Sequence, residues 1–233
     1  MGCNLPCWWG IRPGEGTWED VSSVFQNVGA PLLTFGQHEA TARFDLYIAI
    51  VPESAGPPLL AFGVFEKAGI INRIDASFAL HHAPPNGYAP LDQAAERYSL
   101  QGLLREAGPP TQVLLHAPGA RSEPNAPWVY GIWLYFQDEA IAAYYEGEGM
   151  SLVNDKVRVC PTYELTHEVS LFLGDPASPG TLQEMTSGSS LIPEQLNDGS
   201  LATLAQAASI TEDEFYALLA SDPKACLEVS PTS

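Results

Sequence analysis

A chain of 233 residues with 10 Lys and Arg against 28 Asp and Glu carries a formal net charge of −18. That balance argues against nucleic acid or anionic membrane as a partner, since each phosphate contact needs a cation the chain lacks. With 45% apolar and only 16% charged residues, the sequence is also too apolar for an acidic disordered segment, and it is long enough to bury a sizeable core.

The helix Thr17 to Gly29 comes first, with Thr17 as N-cap, Glu19 and Asp20 in the first turn, and Gly29 with Pro31 as the stop. Val21, Val24, Phe25 and Val28 fall on one face at i, i+3, i+4, i+7. Residues 43–50 alternate polar and apolar as a half-buried strand does, and 59–66 and 70–78 form two more strands around a Lys67-Ala68-Gly69 turn. A linker follows at 81–90, and 92–97 is expected to add a short helix before Ser99.

The pattern then repeats. Leu100, Leu103 and Leu104 before Gly108-Pro109-Pro110 match Val21, Val24 and Phe25 before Gly29-Ala30-Pro31, and strands are expected at 113–116, 128–137 and 140–146. Shared spacing, ending and order indicate an internal duplication. Beyond it, short strands at 156–160 and 168–173 precede an irregular stretch from Gly174 to Ser200, then a helix over 201–208. Thr211-Glu-Asp-Glu214 is a capping box that opens a helix over 212–221. The reading is an α+β fold: residues 1–83 and 84–160 as two helix-plus-antiparallel-meander units, and 161–233 as an acidic strand and helical tail packed on the body. One basic residue faces eleven acidic ones in that last segment, a net of −10.

Cysteine usage points to an oxidising compartment. Cys3, Cys7, Cys160 and Cys226 are even in number, and the spacing of Cys3 and Cys7 fits neither a redox C-x-x-C nor a zinc ribbon. Three disulfide connectivities are open, of which Cys3 with Cys7 and Cys160 with Cys226 is preferred. With no apolar run of eighteen residues there is no transmembrane segment, so the chain is expected to be extracytoplasmic, starting after a removed signal. Met1-Gly2-Cys3 also reads as a lipoprotein junction, which would make Cys3 a lipid anchor instead.

Motifs for chemistry are sparse. The sequence has no G-x-S-x-G elbow, no H-E-x-x-H, no phosphate-binding glycine loop and no EF-hand ladder, so no cofactor or metal is expected. His81 and His82 are adjacent, which on an extended chain points them apart. Glu146 and Glu148 can be drawn as a glycosidase pair, but in a chain with 28 acids such pairs are common. The aromatic run from Trp128 to Phe136 places Trp128, Tyr130, Ile132, Leu134 and Phe136 on one sheet face. Trp133 and Tyr135, joined by Tyr144, fall on the other face, as a binding strip if that face is open and as a second core layer if it is covered.

The opening Cys3-Asn-Leu-Pro-Cys-Trp-Trp-Gly-Ile-Arg-Pro-Gly14, the stretch from Tyr98 to Pro110 and the close from Ile210 to Tyr216 with Cys226 resemble secreted or lipid-anchored proteins of Chloroflexi-type bacteria. That resemblance implies a location and no activity. More remotely, the tandem helix, Gly-x-Pro and antiparallel-strand units look like the superfamily of β-lactamase-inhibitor proteins and outer-membrane-assembly lipoproteins. It implies protein binding rather than catalysis. The first helical segment here is about a turn longer than in that superfamily and the second unit lacks its opening glycine, so no contact residue is carried over.

The expected function is therefore an extracytoplasmic, non-enzymatic binding or assembly module that engages a protein of the cell envelope or extracellular space. The alternatives are an envelope glycan hydrolase using paired carboxylates, or a structural subunit of a surface assembly.

Overall fold

The computed structural model describes residues 4–28, 32–38, 42–49, 60–79, 96–118, 128–187, 189 and 200–231. The expectations placed on Cys3, on His81 and His82 and on the linker 81–90 lie outside them, as do most of the helix expected at 92–97 and the side chains of Phe25 and Val28.

The first helix, α1 (Trp18–Val28), begins where the sequence marks it. The Asp20 backbone N–H donates to the Thr17 hydroxyl at 3.4 Å, while Asp20 Oδ2 accepts from the Thr17 backbone N–H at 2.8 Å. Two otherwise unpaired helix-terminal donors are thereby satisfied. Four strands follow as a meander: β1 (Leu32–His38), β2 (Ala42–Ala49), β3 (Leu60–Lys67) and β4 (Ile70–Ala79). The β3–β4 turn puts Ala68 at φ 55° and Gly69 at φ 86°, the two left-handed residues that a tight hairpin of matching twist requires.

The second helix, α2 (Leu100–Ala107), is capped by Ser99 Oγ, which accepts from the Gly102 N–H at 3.1 Å. Then come β5 (Gln112–His116), β6 (Tyr130–Phe136) and β7 (Ile141–Gly147). A hairpin of β8 (Met150–Val153) and β9 (Lys156–Val159) intervenes before β10 (Thr166–Gly174), which returns to pair with β7. Thus each helix is followed by four meandering strands, one more than the sequence pattern suggested. In the second set the fourth strand is separated from the third by an inserted hairpin. The expected boundary at residue 160 cuts through this set, because β10 lies beyond it.

Among the described residues the main sheet has nine strands, all paired antiparallel, in the order β1-β2-β3-β4-β10-β7-β6-β5-β11, where β11 is Ala202–Thr203. The two sets meet through their last strands, β4 against β10. One sheet face holds the main core, with Phe62, Val64, Ile74, Ile132, Leu134, Tyr145, Val169, Leu171 and Leu173 buried. Over it lie Val21 of α1, Leu103 and Leu104 of α2, α4 (Leu204–Ala207), and Phe215 and Leu219 of α5 (Glu212–Ser221). The expected helix over 201–208 is shorter because 202–203 add an edge strand. The Thr211–Glu214 capping box is present at the start of α5, with Glu214 Oε2 accepting from the Thr211 N–H at 2.8 Å.

Trp8 plugs the core beside Tyr98 and Phe78, with ring centroids 5.2 and 5.7 Å away. Tyr98 donates to the Cys7 carbonyl, and Tyr145 donates to the Tyr98 carbonyl at 3.0 Å. A small sheet of β8, β9 and β12 (Leu227–Val229) closes the molecule. The Cys160–Cys226 disulfide joins the end of β9 to the start of β12, and Cys7 is disulfide-bonded as well. No helix among the described residues is long and apolar enough to cross a membrane.

Removing the Cys160–Cys226 bridge, which closes a 66-residue separation, should cost ~4 kcal/mol by loop entropy. Urea unfolding of the Cys160→Ala/Cys226→Ala double variant measures it, with a lower midpoint and a steeper slope as the expected result, because the unfolded chain without the bridge exposes more surface.

Candidate functional site: the second face of the sheet

Strand alternation sends every other residue of β4, β10, β7, β6 and β5 to the face opposite the main core. The registers align these residues in rows. One row reads Asp75, Phe172, Ala142, Tyr135, Gln112; the next Ser77, Ser170, Tyr144, Trp133, Leu114; the third Ala79, Glu168, Glu146, Gly131, His116. The composition shifts from aromatic to polar along this direction.

The aromatic part is covered. Trp133, Tyr135 and Tyr144 are 0%, 5% and 1% exposed, which corrects their expected display as a binding strip. They pack with Ala142 and Phe172 beneath Leu182 and Met185 of α3 (Leu182–Thr186). Trp133 lies 5.0 Å from Tyr144 and 5.7 Å from Phe172 between ring centroids. The covering helix sits inside the stretch expected to be irregular. Its signal is the Thr181-Leu-Gln-Glu184 capping box, and Glu184 Oε2 accepts from the Thr181 N–H at 2.7 Å.

Side chains of the sheet tie this strap down. Tyr135 donates to the Gly180 carbonyl, and Arg73 donates to the Ser187 carbonyl at 2.8 Å. Arg73 also pairs with Asp75 at 3.0 Å and stacks 3.6 Å over the Phe65 ring. Asp75 is 1% exposed. Burial pushes its carboxyl up to about 7, against the lowering effects of Arg73 and of a hydrogen bond from Ser189.

The polar end is different in kind. Glu146 and Glu168 are direct register partners across β7 and β10. Tyr144 donates to Glu146 Oε2 at 3.0 Å, and Ser77 donates to Glu168 Oε1 at 2.7 Å. Burial raises the Glu146 carboxyl above its ordinary range; the Tyr144 hydrogen bond opposes this, Glu168 adds to it, and His167 and His116 oppose it. The Tyr144 hydroxyl is raised by burial and by both carboxylates. Ser170, fully buried between Ser77 and Tyr144 in its row, has no hydrogen-bond partner for its hydroxyl among the described residues.

The expected partner of Glu146, Glu148, is not the residue the sheet register sets opposite it. Glu148 instead meets His167 at 3.7 Å, and the carboxylate opposite Glu146 is Glu168. Sequence reasoning missed Glu168, Ser170, Ser77 and His116. The polar Glu168 and Ser170 alternating with apolar Val169 and Leu171 was the available signal, but only the register reveals which strands they meet. No cluster of His, Cys, Asp and Glu able to hold a metal ion occurs among the described residues. Ser170, lacking a hydrogen-bonded base, is not an activated nucleophile.

The class defined by this architecture is α+β, an antiparallel sheet with helices packed on its main-core face and the short helix α3 on the other. No family model, curated protein or solved structure matches the chain.

Two outcomes follow. Because the folded state holds the Asp75 proton more tightly than the unfolded chain does, this group's stabilising contribution is full below the ordinary carboxyl range. It is lost as pH rises toward about 7, by up to ~1.4 kcal/mol per pH unit. Urea melts of wild type and Asp75→Asn across pH 4–8 should differ by that slope, and parallel curves would refute it. A Cβ on Gly131 would stand 2.7 Å from Tyr144 Oη, so Gly131→Ala must displace the phenol from Glu146. A loss of ~1–3 kcal/mol is expected in the same assay.

Proposed function

We propose that the chain is an extracytoplasmic, non-enzymatic module that binds a protein of the cell envelope or extracellular space through the polar end of its second sheet face. The observation that carries this reading is the division of that face: α3 covers its aromatic part, while Glu168 remains exposed and Glu146, Ser77 and His116 half-buried beside it. The Cys160–Cys226 bridge supports an oxidising compartment. The tandem helix-and-meander order is compatible with the resemblance to inhibitor and assembly lipoproteins.

One observation favours a second reading. The raised Glu146 carboxyl opposite Glu168 has the form of an acid and base pair, as in a glycan hydrolase.

A single affinity experiment separates the two. Immobilised chain is exposed to envelope and secreted fractions of the source cells, beside a Glu168→Arg variant of equal thermal stability. The module reading expects saturable one-to-one capture of a protein, weakened at least tenfold by the charge reversal. Absence of such capture, together with release of reducing ends from envelope glycan that Glu146→Gln abolishes, would replace it with the hydrolase.

A further inference from the structure

We propose that the polar end of the second face is a seat for one basic side chain, an arginine or lysine presented by the protein partner. The proposal rests on the binding-module reading and specifies the chemistry the partner must bring.

Four features of this corner converge. Glu146 and Glu168 stand directly opposite each other on neighbouring strands, an arrangement that destabilises a sheet unless a positive charge joins it. Among the described residues no lysine or arginine forms an ion pair with either carboxylate. Among the described residues the cationic influences on Glu146 are only the imidazoles of His167 and His116. The nearest arginine along β4, Arg73, is committed to Asp75 and to the Ser187 carbonyl.

The hydroxyls are oriented by the same two carboxylates. Ser77 spends its proton on Glu168 and Tyr144 spends its proton on Glu146, which leaves both oxygens as acceptors. Ser170 lies between them in the row, fully buried and with no hydrogen-bond partner among the described residues, two residues along β10 from Glu168 and on the same face. The reachable part of the corner is therefore rich in acceptors: the exposed Glu168 carboxylate and, half-buried beside it, the Glu146 carboxylate and the Ser77 hydroxyl oxygen, with the buried Tyr144 and Ser170 hydroxyls behind them. A group that satisfies such a set must be cationic and carry several N–H donors, which describes a guanidinium or an ammonium. A metal ion fits less well, because no cluster of three ligating side chains forms among the described residues. The excess of acid over the whole chain, −18, would steer a basic partner toward it.

The probe is the blocked tripeptide acetyl-Gly-Arg-Gly-amide, with its citrulline analogue as an uncharged isostere. Both are titrated into the full chain while the Ser170 backbone amide and the Trp133 indole N–H are followed by heteronuclear NMR. The arginine peptide should give saturable shifts at both positions in the millimolar range. The citrulline peptide should bind at least fivefold more weakly, and Glu146→Gln/Glu168→Gln should weaken the arginine response at least tenfold. Should that double variant fail to fold, Glu168→Gln alone, at an exposed position, should weaken the response at least threefold. Equal response to both peptides, insensitivity to the Gln variants, or stronger shifts with calcium chloride than with the arginine peptide would overturn the seat. None of these results alters whether the chain captures a protein partner, so the seat and the module can fail separately.

Discussion

Strand β10 makes two ladders at once, with β4 on one side and β7 on the other, and the rest of the molecule depends on that double pairing. Without it, two central edges would expose rows of unpaired backbone donors and acceptors. Both of its faces are buried from Val169 to Leu173, with Val169, Leu171 and Leu173 on the main core and Ser170 and Phe172 on the second face. Its partners on β4 lie about ninety residues earlier in the chain, for example Ala79 opposite Glu168. Closing so long a loop brings no reward until the ladder forms, so this pairing is the natural slow step of assembly.

The same strand distributes chemistry. Its main-core side is aliphatic at Val169, Leu171 and Leu173, while its other side passes from Phe172 through Ser170 to Glu168 in three alternate positions. Neighbouring strands follow the gradient, from Ala142 through Tyr144 to Glu146 on β7 and from Tyr135 through Trp133 to Gly131 on β6. Gly131 leaves room for the Tyr144 ring, whose hydroxyl reaches Glu146. A dry aromatic cluster and an acceptor-rich corner are thus continuous. The first fixes the phenol whose hydroxyl donates to Glu146 in the second.

Much of the local structure was legible because it is encoded locally. Capping at Thr17 and Thr211, the stop at Gly108, the Ala68-Gly69 turn and the face assignment of Tyr130, Ile132, Leu134 and Phe136 each follow from residues a few positions apart. The α+β class follows from their order. The fate of Trp133, Tyr135 and Tyr144 was not legible, since it depends on a five-residue helix in a polar stretch whose only mark is one capping box. Nor was the carboxylate pair. Glu146 and Glu148 are close in sequence, whereas Glu146 and Glu168 become neighbours only through a register that no periodicity within either strand specifies.

The Cys160–Cys226 bridge encloses β10, the strap with α3, the edge strand β11 and helices α4 and α5 within one covalent loop. The central strand of the sheet, the cover of its aromatic face and one member of the carboxylate pair are therefore held by the same sulfur–sulfur link. A single backbone cut anywhere between residues 161 and 225 leaves two pieces that cannot diffuse apart while that bond persists. In a compartment rich in proteases, the strap over the second face could be opened by cleavage without the molecule losing the strand beneath it.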